Sequence, residues 1–353
     1  MKMNSKIAVV DLFCGIGGLS QGFVNEGFNV VGGYDNDPKC KYAFEKNNNS
    51  IFFLQDISLL KGKEVNRLFG KKIKVLVGCA PCQTFSSYSF KIKTKDETKA
   101  NMLFSFARLI EETKPTIVSM ENVSQLANTE KNPIFKYFCE RLNELGYNYN
   151  FEVVYCPDYG IPQTRKRLVL LASKLGDIKL IEKTHTPNNY VTVRDAIYNL
   201  PAVKAGEYDI NDPLHRARAL SSINLRRIQH TTEGGSWKNW PDELLLACYK
   251  KKSGNTYGSV YGRMKWDAPS PTMTTHCTGI GNGRFGHPEQ DRAITLREAA
   301  RLQSFPENFE FFESHENYNS SIICKQIGNA VPPKLGQVIA QSIKEHLKIH
   351  KKI

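Results

Sequence analysis

The sequence predicts an α/β chain: a doubly wound, mostly parallel sheet, with a second, smaller domain that is irregular and β-rich. Three observations carry this. Over the first 175 residues or so, short apolar runs alternate with helical periods, the pattern of strands joined by crossover helices. A Gly-rich turn follows the first run, and acidic residues follow the second and third. From about residue 181 to 319 the rhythm gives way to short, poorly periodic pieces rich in Gly, Pro, Asn, His and Trp.

The elements follow in order. Residues 7–12 are an apolar run and read as the first strand; a helix over 19–26 follows the turn. Val30 and Val31 open a second strand that ends in Asp35, Asn36 and Asp37, and Pro38 opens a helix. Residues 51–54, 74–77 and 116–120 are the third, fourth and fifth strands, with an amphipathic helix over 102–112. A helix over 133–145 begins at Pro133 and stops at Gly146, a natural C-cap. Residues 151–156 and 168–172 are two more strands, and 335–347 returns to a helical period. The expected division is a first domain over 1–180, completed by 323–353, around a second over 181–322.

Composition narrows the class. The 353 residues are 41% hydrophobic and 24% charged, which suits a folded soluble chain and not a disordered one. No run approaches the roughly 18 apolar residues of a membrane span, and residues 1–6 carry no leader pattern. Nine scattered cysteines suggest reduced thiols and a cytoplasmic location. Forty-eight Lys and Arg against 35 Asp and Glu leave +13, a balance that favours a polyanion. A lysine-rich, AT-biased genome would give the same count.

Four motifs could carry chemistry. In the first turn, Asp11-Leu12-Phe13-Cys14-Gly15-Ile16-Gly17-Gly18, glycine lets backbone approach a ligand at the sheet's carboxyl edge, as in Rossmann-like folds. A dinucleotide fingerprint needs glycine at position 20, which is Ser20, so a nicotinamide dehydrogenase is disfavoured. Asp35 is placed for a ribose and Asp56 for an adenine amino group. After the fourth strand comes Gly78-Cys79-Ala80-Pro81-Cys82-Gln83-Thr84-Phe85-Ser86. A thiol in such a loop can act as a nucleophile or simply be buried. Cys79 and Cys82 imitate a metal pair, but no second pair accompanies them, so no metal is expected. Glu121 ends strand five on the same edge. Alternation points Arg165 and Arg167 the same way from Gln163-Thr164-Arg165-Lys166-Arg167. Either of the last two motifs could equally be a surface ion pair.

Taken together these motifs resemble the cytosine carbon-5 DNA methyltransferase family, prokaryotic restriction-modification type. The order runs from the Phe13 turn through Pro81-Cys82-Gln83, Glu121-Asn122-Val123 and Gln163 to Arg167. It continues with Arg297-Glu298-Ala299-Ala300-Arg301-Leu302-Gln303-Ser304-Phe305-Pro306 and Gln326-Ile327-Gly328-Asn329-Ala330-Val331-Pro332-Pro333. The resemblance implies a catalytic domain of the S-adenosylmethionine-dependent methyltransferase type over 1–180 and 323–353, with a target-recognition domain over 181–322.

The resemblance also implies the chemistry. Cys82 adds to carbon 6 of cytosine, Glu121 serves N3, and Arg165 contacts O2; Arg167 supports the site or meets a phosphate. Carbon 5 takes the methyl of S-adenosylmethionine, and loss of its proton expels Cys82. Phe13, Gly15, Gly17, Asp35, Asp56, Ile57, Leu103 and Asn329 match the cofactor contacts; at Asp35 many relatives carry Glu. Cys79, where relatives often carry Gly, is expected to be a core or supporting thiol. Asn329 sits so late in the chain that the last helix should pack back beside the first strand. The target base must leave the duplex to reach Cys82. Gln83 and Ser87 beside the nucleophile, and Arg226, Arg227, Arg263 and Arg284 in the middle region, are expected to meet DNA. Residues 181–300 hold 16 Lys and Arg against 12 Asp and Glu, so specific contacts rather than bulk charge would discriminate. Trp237, Trp240 and Trp266 are expected to pack. The implied partners are double-stranded DNA and a cognate restriction endonuclease acting separately, with no membrane and no metal. Two alternatives stay open: a transfer-RNA methyltransferase, since one branch of the family modifies RNA, and a catalytically inactive DNA-binding regulator.

Overall fold

The computed structural model describes residues 6–81, 97–251 and 258–353, with backbone alone for 97–101. In chain order its elements are β1 Ile7–Leu12, α1 Gly18–Asn25, β2 Val30–Asp35, α2 Lys41–Asn48, β3 Phe52–Leu54, α3 Gly62–Phe69, β4 Ile73–Gly78, α4 Glu97–Thr113, β5 Ile117–Val123, α5 Pro133–Glu144, β6 Asn148–Tyr155 and β7 Lys166–Ser173. The middle of the chain holds α6 Val193–Ile197, β8 Tyr208–Asp209, β9 Asp212–Arg216 and α7 Ser222–Gln229. The chain finishes with α8 Leu296–Leu302, α9 Ser320–Asn329 and α10 Pro333–Ile349.

Seven strands form one sheet in the order β3-β2-β1-β4-β5-β7-β6. The first five pair in parallel, and β7 runs antiparallel to both β5 and β6. Every residue of β1 is buried, as expected for a parallel strand covered on both faces. Val9 belongs to the core beneath α1 and α10. Ala8, Val10 and Leu12 belong to the opposite core, with Phe106 of α4 and Phe138 of α5. Sequence order reverses between β1 and β4, which opens a crevice at their carboxyl ends.

The predicted strands and helices are present, with ends shifted by a few residues. Gly146 is the left-handed residue after α5, at φ +79°; its N–H and that of Tyr147 close on the Asn143 and Leu142 carbonyls. No helix is expected at α3, at α6, α7 and α8 in and after the middle region, or at α9. The α3 segment is short and buries little beyond Val65 and Phe69. The α9 segment is signalled mainly by Asn319, whose side chain accepts from the Ser321 and Ile322 amides. The last helix does return to the first motif, but it crosses α1. A Cβ on Gly22 would lie 2.2 Å from the Gln337 nitrogen, so only glycine permits this approach.

The middle region departs from the β-rich expectation. Among the described residues its strand pairing is one hairpin, β8 with β9, and isolated bridges. Its apolar residues are too scattered for longer ladders, and buried side-chain hydrogen bonds hold the loops instead. Arg292 makes two hydrogen bonds of 2.8 Å to Glu298, with both groups fully buried. Trp237, Trp240 and Leu244 form a small separate core, whereas Trp266 joins the main one. Val193, Leu214, Met264, Phe285 and Leu296 share that main core with the sheet.

Candidate active site

A cavity of about 580 Å³ occupies the crevice, bordered by the turns after β1, β2, β4 and β5 and by the end of α9. Its first half is the Gly-rich turn. Phe13, Gly15 and Gly17 all have positive φ, at +60°, +50° and +85°. A bulky residue such as Phe13 holds that geometry at a cost of about 1–3 kcal/mol, typical of functional turns. Asp35 fixes the turn: Oδ2 accepts the Gly15 amide and Oδ1 the Asp37 amide, each at 2.9 Å. The pinned carboxylate keeps lone pairs for a ligand's hydroxyls. Asp56 is exposed, with Oδ1 accepting from the Ser58 amide and hydroxyl. Ile57 is buried beside it, and both border the cavity. Asn329 closes the far wall from the end of α9. Leu103 lies in the core of α4, and its neighbour Met102 borders the cavity.

Asp11, which opens the first-turn motif but is expected in no role there, also borders the cavity. It is 1% exposed; Oδ2 accepts the Ser20 hydroxyl at 2.7 Å, and Oδ1 has no hydrogen-bond partner. Burial pushes its carboxyl up to about 7; the Ser20 bond opposes this and Asp35 adds to it. The available signal was an acid in an otherwise apolar strand.

The second half gathers Cys79, Ala80, Pro81, Glu121, Arg165 and Arg167. Cys82, Gln83 and Ser87 lie outside the described residues, which stop at Pro81 on the cavity wall. Glu121 is 2% exposed. The Cys79 thiol donates to Oε2 at 2.8 Å, and Arg167 Nε lies 3.0 Å from Oε1 as an ion pair without hydrogen-bond alignment. The antiparallel pairing explains this reach, since Val123, two residues beyond Glu121, stands opposite Arg167.

Arg165, also 2% exposed, donates Nη1 to the Met273 carbonyl at 3.1 Å and Nη2 to the Gly328 carbonyl at 3.3 Å. It therefore ties the middle region to α9 across the site. Its Nε has no partner. Burial, with the Arg167 cation nearby, lowers its guanidinium to about 10, so it stays charged near neutrality. Behind it, the Gln163 amide donates to Gln303 Oε1 at 2.5 Å and accepts the Met273 amide. Gln303 in turn donates to the Ile327 and Ala330 carbonyls. Asn122 holds the other turn, donating to the Ala80 carbonyl at 3.0 Å.

The middle-region arginines divide. Arg226 is exposed on α7. Arg227 is buried, donating to the Leu244 carbonyl beneath the rings of Trp240 and Tyr261. Arg263 is 4% exposed, and all five of its N–H groups are engaged. They meet the carbonyls of Thr231, His287, Gln290 and Ile228 and the carboxylate of Asp291. The expectation that Arg227 and Arg263 face DNA is therefore corrected: a side chain enclosed by carbonyls cannot reach a base edge. Arg284 is half-buried and gives Nη1 to the Gly234 and Gly235 carbonyls, so that it too braces a loop. Among the described residues, no group of His, Cys, Asp or Glu could hold a metal ion, and no helix is long and apolar enough to cross a membrane.

Comparison with known proteins agrees in one direction. A family described as C-5 cytosine-specific DNA methylase matches residues 7–345. The type II methylase M.HgiDII of Herpetosiphon aurantiacus is 54% identical over 96% of both chains. Type II methyltransferase M1.HphI of Haemophilus parahaemolyticus is 32% identical over 96% of this chain and 86% of its own. In fold, the chain is similar to a candidate DNA modification methyltransferase encoded within an Escherichia coli prophage. That match has a TM-score of 0.75 at 23% identity, over 97% of this chain and 99% of that one.

Proposed function

The chain belongs to the C-5 cytosine-specific DNA methylase family, and from that premise we propose that Cys82, Glu121, Arg165 and Arg167 carry the transfer. The reaction moves a methyl group from S-adenosylmethionine to carbon 5 of cytosine in DNA. That cofactor supplies an electrophilic methyl on a sulfonium. The residues present suit it: an acid-lined cavity with Asp11, Asp35 and Asp56, the uncapped Oδ1 of Asp11, and a glycine turn open to close approach. Asp35 would hold the ribose hydroxyls, Asp56 and Ile57 the adenine, and Phe13, Gly15, Gly17 and Asn329 the remaining wall. Leu103 would act from behind Met102.

Cytosine needs activation before carbon 5 can attack. Cys82, in the turn that follows Pro81, is the group proposed to add to carbon 6. Addition pushes electrons toward N3, where Glu121 would supply a proton. Arg165 would turn its unpartnered Nε to the base oxygen, a preformed charge that needs no reorganisation. Arg167 steadies the Glu121 carboxyl. The observation that carries this reading is that Glu121, Arg165, Arg167 and the Asp35-pinned turn open on one cavity.

On this reading residues 181–322 recognise the DNA sequence, residues 1–180 and 323–353 catalyse, and the target base swings out of the duplex to enter the cavity. Arg226, exposed, would meet DNA, as would Gln83 and Ser87 near the nucleophile. A separate restriction endonuclease of matching specificity would act with it in the cytoplasm; the type II names of the relatives support this. The test is incubation with labelled cofactor and either duplex DNA or transfer RNA. Label is expected in DNA, with a covalent complex on 5-fluorocytosine DNA that Cys82→Ala abolishes. Label in RNA alone would move the substrate to RNA, and no label in either would leave a DNA-binding regulator.

A further inference from the structure

The methyl-transfer chemistry leaves Cys79 without a task, but the structure gives it a definite neighbour. It follows β4 directly, is half-buried and borders the cavity. Its S–H reaches Glu121 Oε2 at 2.8 Å, from 42 residues away in sequence. Two ties fix that approach. The Cys79 amide donates to the Leu12 carbonyl at 3.3 Å, and the next carbonyl along, on Ala80, accepts from Asn122, the neighbour of Glu121. The second oxygen of Glu121 stands apart. Oε1 is enclosed and accepts no hydrogen bond, although the Arg167 cation lies beside it.

We infer that Cys79 is a positioning residue for the transfer: its thiol holds Oε2 and so fixes the plane in which the Glu121 carboxyl meets the target base. The inference rests on the role given to Glu121 above. A neutral carboxyl donates from one oxygen only, its hydroxyl, while the other acts as acceptor. A donor fixed on Oε2 engages that oxygen as an acceptor and so sets which way the carboxyl plane faces. A thiol suits this work because it is a weak donor: it sets the plane of the carboxyl while competing little with a base for it.

A double-mutant cycle tests the inference. Cys79→Ala, Cys79→Ser, Glu121→Gln and Cys79→Ala/Glu121→Gln are compared by kcat, KM for duplex DNA and the pH profile of kcat. Loss of one hydrogen bond to the acid should lower kcat about tenfold in Cys79→Ala and shift the profile, with KM held within about twofold. Cys79→Ser keeps a donor and should recover most of the rate. Cys79→Ala should add nothing to Glu121→Gln, since a positioning thiol acts on the rate only through the acid it holds. Should Cys79→Ala fail to fold, Cys79→Gly supplies the second donor-free variant. Wild-type kcat and pH profile in a donor-free variant beside an inactive Glu121→Gln would overturn the inference alone. So would an undiminished further loss in the double variant. Full kcat in Glu121→Gln would overturn the Glu121 assignment and the inference with it.

Discussion

The cavity edge and the middle region both bury charge, and they treat it in opposite ways. In the middle region Arg263 spends five donors on four carbonyls and a carboxylate, and Arg292 grips both oxygens of Glu298. At the cavity edge Arg165 is as deeply buried, yet its Nε has no partner; the same holds for Oδ1 of Asp11, and Oε1 of Glu121 accepts no hydrogen bond. A buried polar atom left unbonded costs about 1–3 kcal/mol. Asp11, Glu121 and Arg165 leave three such atoms on residues lining one cavity, while Asn48, Ser50, Ser119 and Arg301 leave single ones elsewhere. Depth of burial alone does not separate scaffold from site here; the clustering of unsatisfied atoms around one cavity marks the site.

The sharpest way to break this contrast is Arg263→Ala. Removing the cation from a closed cage of acceptors should cost about 3–5 kcal/mol of stability, read by urea unfolding. A folded variant with altered sequence preference would instead make Arg263 a DNA-reading residue. Glu298→Gln should cost a similar amount, about 3–5 kcal/mol, by stranding Arg292.

Its pH dependence sharpens the contrast further. Burial alone would raise the Glu298 carboxyl, but the Arg292 hydrogen bonds and charge hold it down at about 2. Its stabilisation is therefore present above the ordinary value of 4.5 and lost as pH falls toward 2. Asp11 runs the other way. Its folded value of about 7 lies above the ordinary 3.8, so a native proton stabilises below 3.8, and that advantage is lost as pH rises toward 7. Unfolding curves across pH should lose the acid-side slope in Glu298→Gln and the neutral-side slope in Asp11→Asn. Equal curves for the two variants would end the distinction.

Smaller effects test the outer ends of each region. Asp35→Ala should weaken cofactor binding by about 1–3 kcal/mol in titration calorimetry, and an unchanged Kd would remove Asp35 from the ribose. Arg226→Ala, at an exposed position, should change stability by no more than about 0.5 kcal/mol. It should reduce the salt slope of DNA binding by about 1 if it meets a phosphate.

Much of this was legible in the residues. The buried run at β1, the turn after it, Asp35 at the next strand end and Glu121 at the fifth all stand where local pattern put them, because strand period and turn chemistry are short-range properties. The middle region was less legible. Its Arg, Gly and Trp residues have no period to say which way they face, so Arg227 and Arg263 read as DNA contacts when they are internal braces. Asp11 went unassigned because its surroundings come from Ser20, Asp35 and the burial of the sheet.

The sequence by itself determined the alternation of strands and helices, the glycine turn and the order of motifs, since each is written in neighbours a few residues apart. Only the tertiary structure decided which charges are satisfied. Cys79 meets Glu121 across 42 positions and Arg165 meets Gly328 across 163. Hydrogen bonding and desolvation depend on what packing brings within about 3 Å, and no local pattern records that.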